Sequence, residues 1–261
     1  MRFSRKNLCI PYALFLVLFV AAPLLVLIYY AFTDGTGSLT LANFTGFFTN
    51  PNTLGTLVYS FAVAGVTTVV CVLLAYPLAY ILATGKFRGK SAVVMIFVMP
   101  MWINFSLRIT ALKEVLTFIE GNLALYPFVN AVIGMTYDFL PFMILPIYTT
   151  IYRLDPSLLE AAADLGADER TAFLKVTLPL SMPGVMSGIS MVFLPAMTNY
   201  VVLDMLYNST YIMGSLIGSY FSAYNWHGGS MIALILLGII CLFTLLSGTD
   251  EEEHARGGAL L

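Results

Sequence analysis

Long apolar runs alternate with short polar connections along this chain. The runs occupy residues 10–32, 56–84, 91–112, 128–152, 182–203 and 230–247. Each is long enough to cross a bilayer's hydrocarbon core as a helix, which takes ~20 residues. None shows the period-two alternation of a barrel strand. The pattern therefore predicts an all-α integral membrane protein with six transmembrane helices over residues 1–247, and a separate tail over 248–261. Pro23, Pro77, Pro100, Pro141, Pro146 and Pro195 fall inside the runs. Membrane helices accept interior proline where neighbours satisfy the freed carbonyls, so kinked spans are expected. The first run follows Arg2, Arg5 and Lys6 but exceeds the roughly 7–15 apolar residues of a signal peptide. It is read as an uncleaved first span.

Composition agrees with the pattern. Hydrophobic residues make up 59% of the chain and charged residues 10%, against about 25% charged in a soluble domain. The distribution of charge says more than its sum. Of twelve Lys and Arg residues, ten lie at the N-terminus, at Lys86, Arg88 and Lys90, at Arg153, Arg170 and Lys175, or at Arg256 in the tail. With six spans these fall on one side, which the positive-inside rule makes cytoplasmic. Both termini and the connection between the fourth and fifth spans are therefore expected inside.

Most chemistry is excluded. Cys9, Cys71 and Cys241 are far apart in apolar surroundings, which reads as small buried hydrophobes rather than a disulfide or metal site. His227 and His254 adjoin no cysteine or carboxylate cluster, so no metal site is expected. The stretch TGKFRGKS imitates a phosphate-binding loop. Its Gly85 and Gly89 stand one residue too close and no strand precedes them, so any ATP is expected on another subunit. No nucleophile motif or catalytic residue is found. Gly184–Gly188 and Gly214–Gly218 have the spacing of helix-packing pairs, which arises by chance too in a glycine-rich chain.

One segment breaks the apolar pattern. Asp155-Pro156 reads as a helix start, with Asp capping free amides and Pro at the first helical position. Leu158, Leu159, Ala162 and Leu165 then recur at helical spacing, and Gly166 ends the helix. A second helix is expected to open at Asp168, run through Phe173 and stop at Pro179. The segment 155–179 thus predicts a helix–turn–helix on the cytoplasmic surface, a docking element more than a solvated loop.

Glu160-Ala161-Ala162, three residues, Gly166, nine residues, Val176, one residue and Leu178-Pro179 resemble the EAA signature of binding-protein-dependent ABC importer permeases. Val176, where isoleucine is usual, is the one departure. Further stretches, LRITALK, YDFLPFMILPIYTTIYRLDPSLLEAAADLGA and FLPAMTNYVVLDML, are similar to the spermidine/putrescine branch of that family. The resemblance implies a type I (MetI-like) permease fold in a bacterial cytoplasmic membrane, with Glu160, Ala161, Ala162, Gly166, Leu178 and Pro179 in a coupling helix against an ATPase. It implies as partners a homologous second permease, an ATPase dimer that holds ATP and magnesium, and an extracytoplasmic polyamine-binding protein. No cofactor is expected on this chain, nor any nucleic-acid partner. The acidic tail, Asp250 to Glu253, departs from the family pattern.

A cationic cargo fits some of the outer-half chemistry. Asp34, Glu114, Glu120, Asp138 and Asp204 oppose Arg108 and Lys113. Asp138 lies inside a span, where an ionisable residue is by default functional or paired. It is a candidate for the path, with Asp204, Tyr137, Tyr200 and Trp102, or it simply pairs with Arg108 or sits protonated. The word polyamine comes from the resemblance, not from charge. Open alternatives are another small solute such as iron, thiamine, sulfate or an amino acid, a stand-alone secondary transporter with a proton relay at Asp138, and a scaffold without a conduit.

Overall fold

A computed structural model describes residues 9–85, 89–207 and 212–257, without the side chains of Cys9, Ser91 and residues 246–257. Outside the description lie Arg2, Arg5, Lys6, Lys86, Arg88 and the side chain of Arg256, which underlie the orientation, along with His254 and the acidic side chains of the tail. The described residues are helical with no strand, apart from an isolated antiparallel bridge between Thr33 and Leu39.

In chain order the helices are α1 (Ile10–Ala31), α2 (Ala42–Thr49), α3 (Pro51–Thr84), α4 (Lys90–Val98), α5 (Phe105–Glu120), α6 (Pro127–Tyr152), α7 (Pro156–Asp164), α8 (Glu169–Thr198), α9 (Tyr200–Leu206), α10 (Met213–Ser222) and α11 (Trp226–Gly257). Among the described residues, α1, α3, α6, α8 and α11 are long and apolar enough to cross a membrane. A sixth span exists only if Ala92–Trp102 and Phe105–Glu120, bent by 98°, count as one.

That bend corrects the expected continuous third span over 91–112. After α4, Pro100 sits in a tight 3₁₀ turn, Met99–Trp102. Asn104 then leaves helical geometry and its side chain accepts from the Ser106 amide, capping a new helix. Apolarity continues across the break, so a hydropathy pattern passes over it.

Other boundaries move for local reasons. α3 begins at Pro51 rather than 56, because Asn50 accepts from the Asn52 amide and caps a polar first turn. α11 begins at Trp226 rather than 230, because Asn225 accepts from the Gly228 amide; it runs on to Gly257, past the expected boundary at 247. The second surface helix does not stop at Pro179 but continues as α8. A wide π turn, Phe173–Thr177, precedes that proline. The other π turn, Val17–Ala21, precedes Pro23 by the same two residues. Such a turn gives room for a ring that would clash with the carbonyl four residues back and that brings no N–H. The fifth span ends at Asn199 (φ −75°, ψ 78°), past Pro195, and α9 follows as a separate piece.

Two compact units result, residues 1–57 with 213–242, and 58–212 with 243–261; α3 and α11 run through both. In the first, Asn43 donates to the carbonyls of Ala31 and Thr33, and the Tyr30 carbonyl lies 3.1 Å from His227 Nδ1. In the second, α6 forms the core, with 61% of its apolar window buried. α8 packs along α6 at Gly184 and Gly188. A β-carbon on Gly184 would meet Thr150 Oγ1 and lie 2.7 Å from the Pro146 carbonyl; one on Gly188 would lie 2.6 Å from Met143 Sδ. Gly218, of the other spaced pair, faces open space. Tyr76 and Ser181 share a 2.8 Å hydrogen bond, and Phe173 packs edge-on to Tyr76 and Tyr80. Cys71 is buried, whereas Cys241 is exposed, contrary to the reading of all three cysteines as buried.

Gly184→Ala is expected to destabilise the purified protein by about 1–3 kcal/mol, the usual cost of overpacking, visible as a lower melting temperature in detergent. Gly238→Ala, where nothing lies within 4 Å, should leave melting unchanged.

Candidate functional site

The helix α7 is a surface element built from two caps. Asp155 is extended, and its side chain accepts from the Ser157 amide at 2.9 Å with Pro156 behind it. At the other end, Gly166 takes φ 81°, a left-handed conformation that costs glycine nothing. The Ala167 amide bonds the Ala162 carbonyl and the Gly166 amide the Ala163 carbonyl, closing a Schellman motif. Asp168 opens α8 by accepting from the Thr171 amide at 3.1 Å. Two chain reversals are thus set by local hydrogen bonds.

The charges follow from those bonds. The Ser157 backbone amide, and then its hydroxyl, hold the Asp155 carboxyl below its ordinary range. The Thr171 side chain, and then its amide, do the same for Asp168. Both carboxylates are fully ionised at neutral pH and favour the adjacent helix N-termini.

No residue of α7 is buried, although Leu158 and Leu159 are apolar, and Leu165 just after it is 89% exposed. Glu160, Ala161 and Gly166 are exposed and Ala162 half-buried; Leu178 is half-buried and Pro179 exposed. Beside the return helix, Tyr80, Glu169, Arg170, Phe173 and Leu174 line an open cleft of about 410 Å³. The segment is a doubly capped, partly apolar surface between two packed spans. Among the described residues no group of three His, Cys, Asp or Glu side chains converges as for a metal.

The path candidates are dispersed. Asp138 is 4% exposed and takes a 2.7 Å ion pair from Arg108 Nη2. Tyr137, its neighbour, points out of the core at 41% exposure. Trp102 is exposed at the bend. Tyr200 and Asp204 are exposed on α9, whose opposite face packs Val202 and Leu206 on Gly134. Sequence reasoning missed the anchoring of the return helix by Ser181 and Phe173; its only linear signal is a proline after the segment.

A family model for the binding-protein-dependent transport system inner membrane component matches residues 8–249. The chain is 32% identical over 267 residues to the spermidine/putrescine transport system permease protein PotB of Haemophilus influenzae, covering 94% of this chain and 92% of that protein. It is 31% identical over 253 residues to PotB of Escherichia coli, covering 88% and 92%. Its fold is similar to a chain in the crystal structure of a bacterial ABC transporter involved in import of the acidic polysaccharide alginate, with TM-score 0.77, 14% identity, and 95% and 94% of the two chains covered.

Because the folded carboxyls of Asp155 and Asp168 sit below their unfolded values, the caps are fully stabilising above the ordinary Asp value of about 3.9 and are lost only as pH falls through the lower folded values. Amide exchange at Ser157 and Thr171 should stay protected from neutral pH to about 4, then lose protection on further acidification. Asp155→Asn and Asp168→Asn should remove that acid-dependent step.

Proposed function

We infer that this chain, which belongs to the family of binding-protein-dependent transport system inner membrane components, is one permease subunit of an ATP-driven importer of polyamines such as spermidine and putrescine. The observation that carries the reading is the near-full-length similarity to PotB proteins. The exposed, doubly capped α7 supports the coupling role. The partners are a homologous second permease, an ATPase dimer and an extracytoplasmic polyamine-binding protein. The chain is not itself an enzyme and holds no cofactor; ATP and magnesium are bound by the ATPase. Both termini and α7 lie in the cytoplasm, on the basic side.

Reversing a 1:99 preference between inward-open and outward-open states takes about 5.5 kcal/mol. Chemistry on the ATPase supplies it, and this chain's residues carry the displacement. Glu160, Ala161, Ala162 and Gly166 meet the ATPase. The caps keep α7 from deforming. Leu178 and Pro179 lead into a return helix locked to α6 at Gly184 and Gly188, so a push on α7 moves a packed helix pair instead of bending a loop. Asp204 and the exposed rings of Tyr137, Tyr200 and Trp102 offer carboxylate and aromatic faces to a polycation. Each desolvated cation–π contact contributes up to about 2 kcal/mol.

Reconstitution with the second permease, ATPase and binding protein tests this. Gly166→Pro, which forbids a positive φ, and Glu160→Lys should insert normally yet reduce ATP-dependent spermidine uptake to background. Asp204→Asn should raise the spermidine concentration for half-maximal uptake. Normal uptake by both α7 variants refutes coupling. Uptake of another solute in place of polyamine refutes the cargo and leaves coupling standing, and uptake without ATPase restores the secondary-transporter reading.

A further inference from the structure

We propose that Arg108 and Asp138 form a positioning pair: a buried, charge-neutral tie that holds α5, the helix after the 98° bend, onto α6. Asp138 acts through Arg108 and is not a ligand for cargo. The uptake arm of the test below rests on the transport function inferred above.

Three observations carry this. First, placement: Arg108 lies one turn inside α5, just after the Asn104 cap, and Asp138 lies one turn beyond Gly134 on α6. α9 packs on both helices, so the pair sits at a three-helix junction. Second, α5 has little apolar anchorage of its own, and its other polar tie to α6, the 2.9 Å hydrogen bond that Asn130 Nδ2 donates to Glu120 Oε2, lies at its far end. Its buried residues are Arg108, Ile109 and Leu116, and its outward stripe includes Leu107, Val115, Phe118 and Ile119, all more than half exposed. At its start, just after a sharp break, this helix that buries two apolar side chains is tied to α6 by the one ion pair found among the described residues.

Third, the pair is closed to a competitor. Arg108 and Asp138 are 7% and 4% exposed, and the guanidinium is already short of acceptors, with Nε and Nη1 buried and unpartnered. A cargo ammonium that took Asp138 would strand a permanently charged guanidinium in a buried site, where breaking a buried pair is strongly unfavourable. While Arg108 is bound, Asp138 presents no net charge to a cation. Contact runs through Nη2 alone, at 2.7 Å. A single donor suffices, so lysine should serve here, unlike at a forked arginine site.

The test uses the full chain in its assembled transporter, with R108Q, D138N, R108Q/D138N, R108D/D138R and R108K. Melting of the detergent-solubilised complex and initial spermidine uptake against concentration are both measured. Each single neutral variant should lower the melting temperature and cut maximal uptake by about tenfold or more, as expected when one buried partner is removed. The paired neutral variant or the charge swap should restore melting and bring maximal uptake within about threefold of wild type, the kind of non-additivity expected of contacting residues. Half-saturation should match wild type, and R108K should keep uptake. If D138N and the paired neutral variant both raise half-saturation, Asp138 binds cargo and the proposal falls. It falls equally if the single variants change nothing, or if neither paired variant recovers. Should single variants fail to assemble, the paired variants and R108K decide. Melting needs no cargo, so a transporter that carries a different solute still reports on the pair.

Discussion

The close contact of α6 and α8 is the constraint on which the rest depends. Lipid chains are as apolar as leucine, so helices in a bilayer gain little by hiding hydrophobic surface and associate through packing at close range. Gly184 and Gly188 let the α8 backbone approach the carbonyls of Pro146 and Met143. That contact turns the hairpin spanning residues 127–198 into one mechanical piece, with the surface helix α7 at its turn. Without it, α7 would be a cap on a loose connection. With it, the exposed helix leads directly into a close helix pair that includes the most buried span among the described residues.

Proline shapes the same hairpin. Pro141 and Pro146 lie within α6, and Pro179, Pro183 and Pro195 within α8. Each removes a backbone donor, and the chain answers each kind differently. A π turn precedes Pro179, a helix break follows Pro195, and a 98° bend forms around Pro100. Hydrogen bonds lost in lipid must be regained nearby or the backbone redirected. The irregular places are the return from the surface helix, the start of α9, and the entry to the helix that carries Arg108.

Much was legible in the linear pattern. Apolar run length sets the all-helical membrane class, and Asp155, Pro156, Gly166 and Asp168 encode their caps through interactions within five residues. Those are local bonds, so spacing reveals them. The stop expected at Pro179 is not found, because a proline looks the same before a stop and after a π turn. The third span is bent where the pattern reads continuous, because Ile103 and Phe105 continue the hydropathy across a backbone that has already turned.

The sequence by itself determined the all-helical membrane class, the distribution of basic charge, and a capped polar helix between two spans, because each depends on solvent preference or near-neighbour hydrogen bonding. Tertiary structure alone decided which carboxylate is neutralised and which is free. Arg108 and Asp138 are thirty residues apart and Asp204 is further still along the chain. Only the packing of α5, α6 and α9 puts a guanidinium against the first carboxylate and leaves the second exposed, because burial and pairing are properties of distance in space, which no linear spacing records.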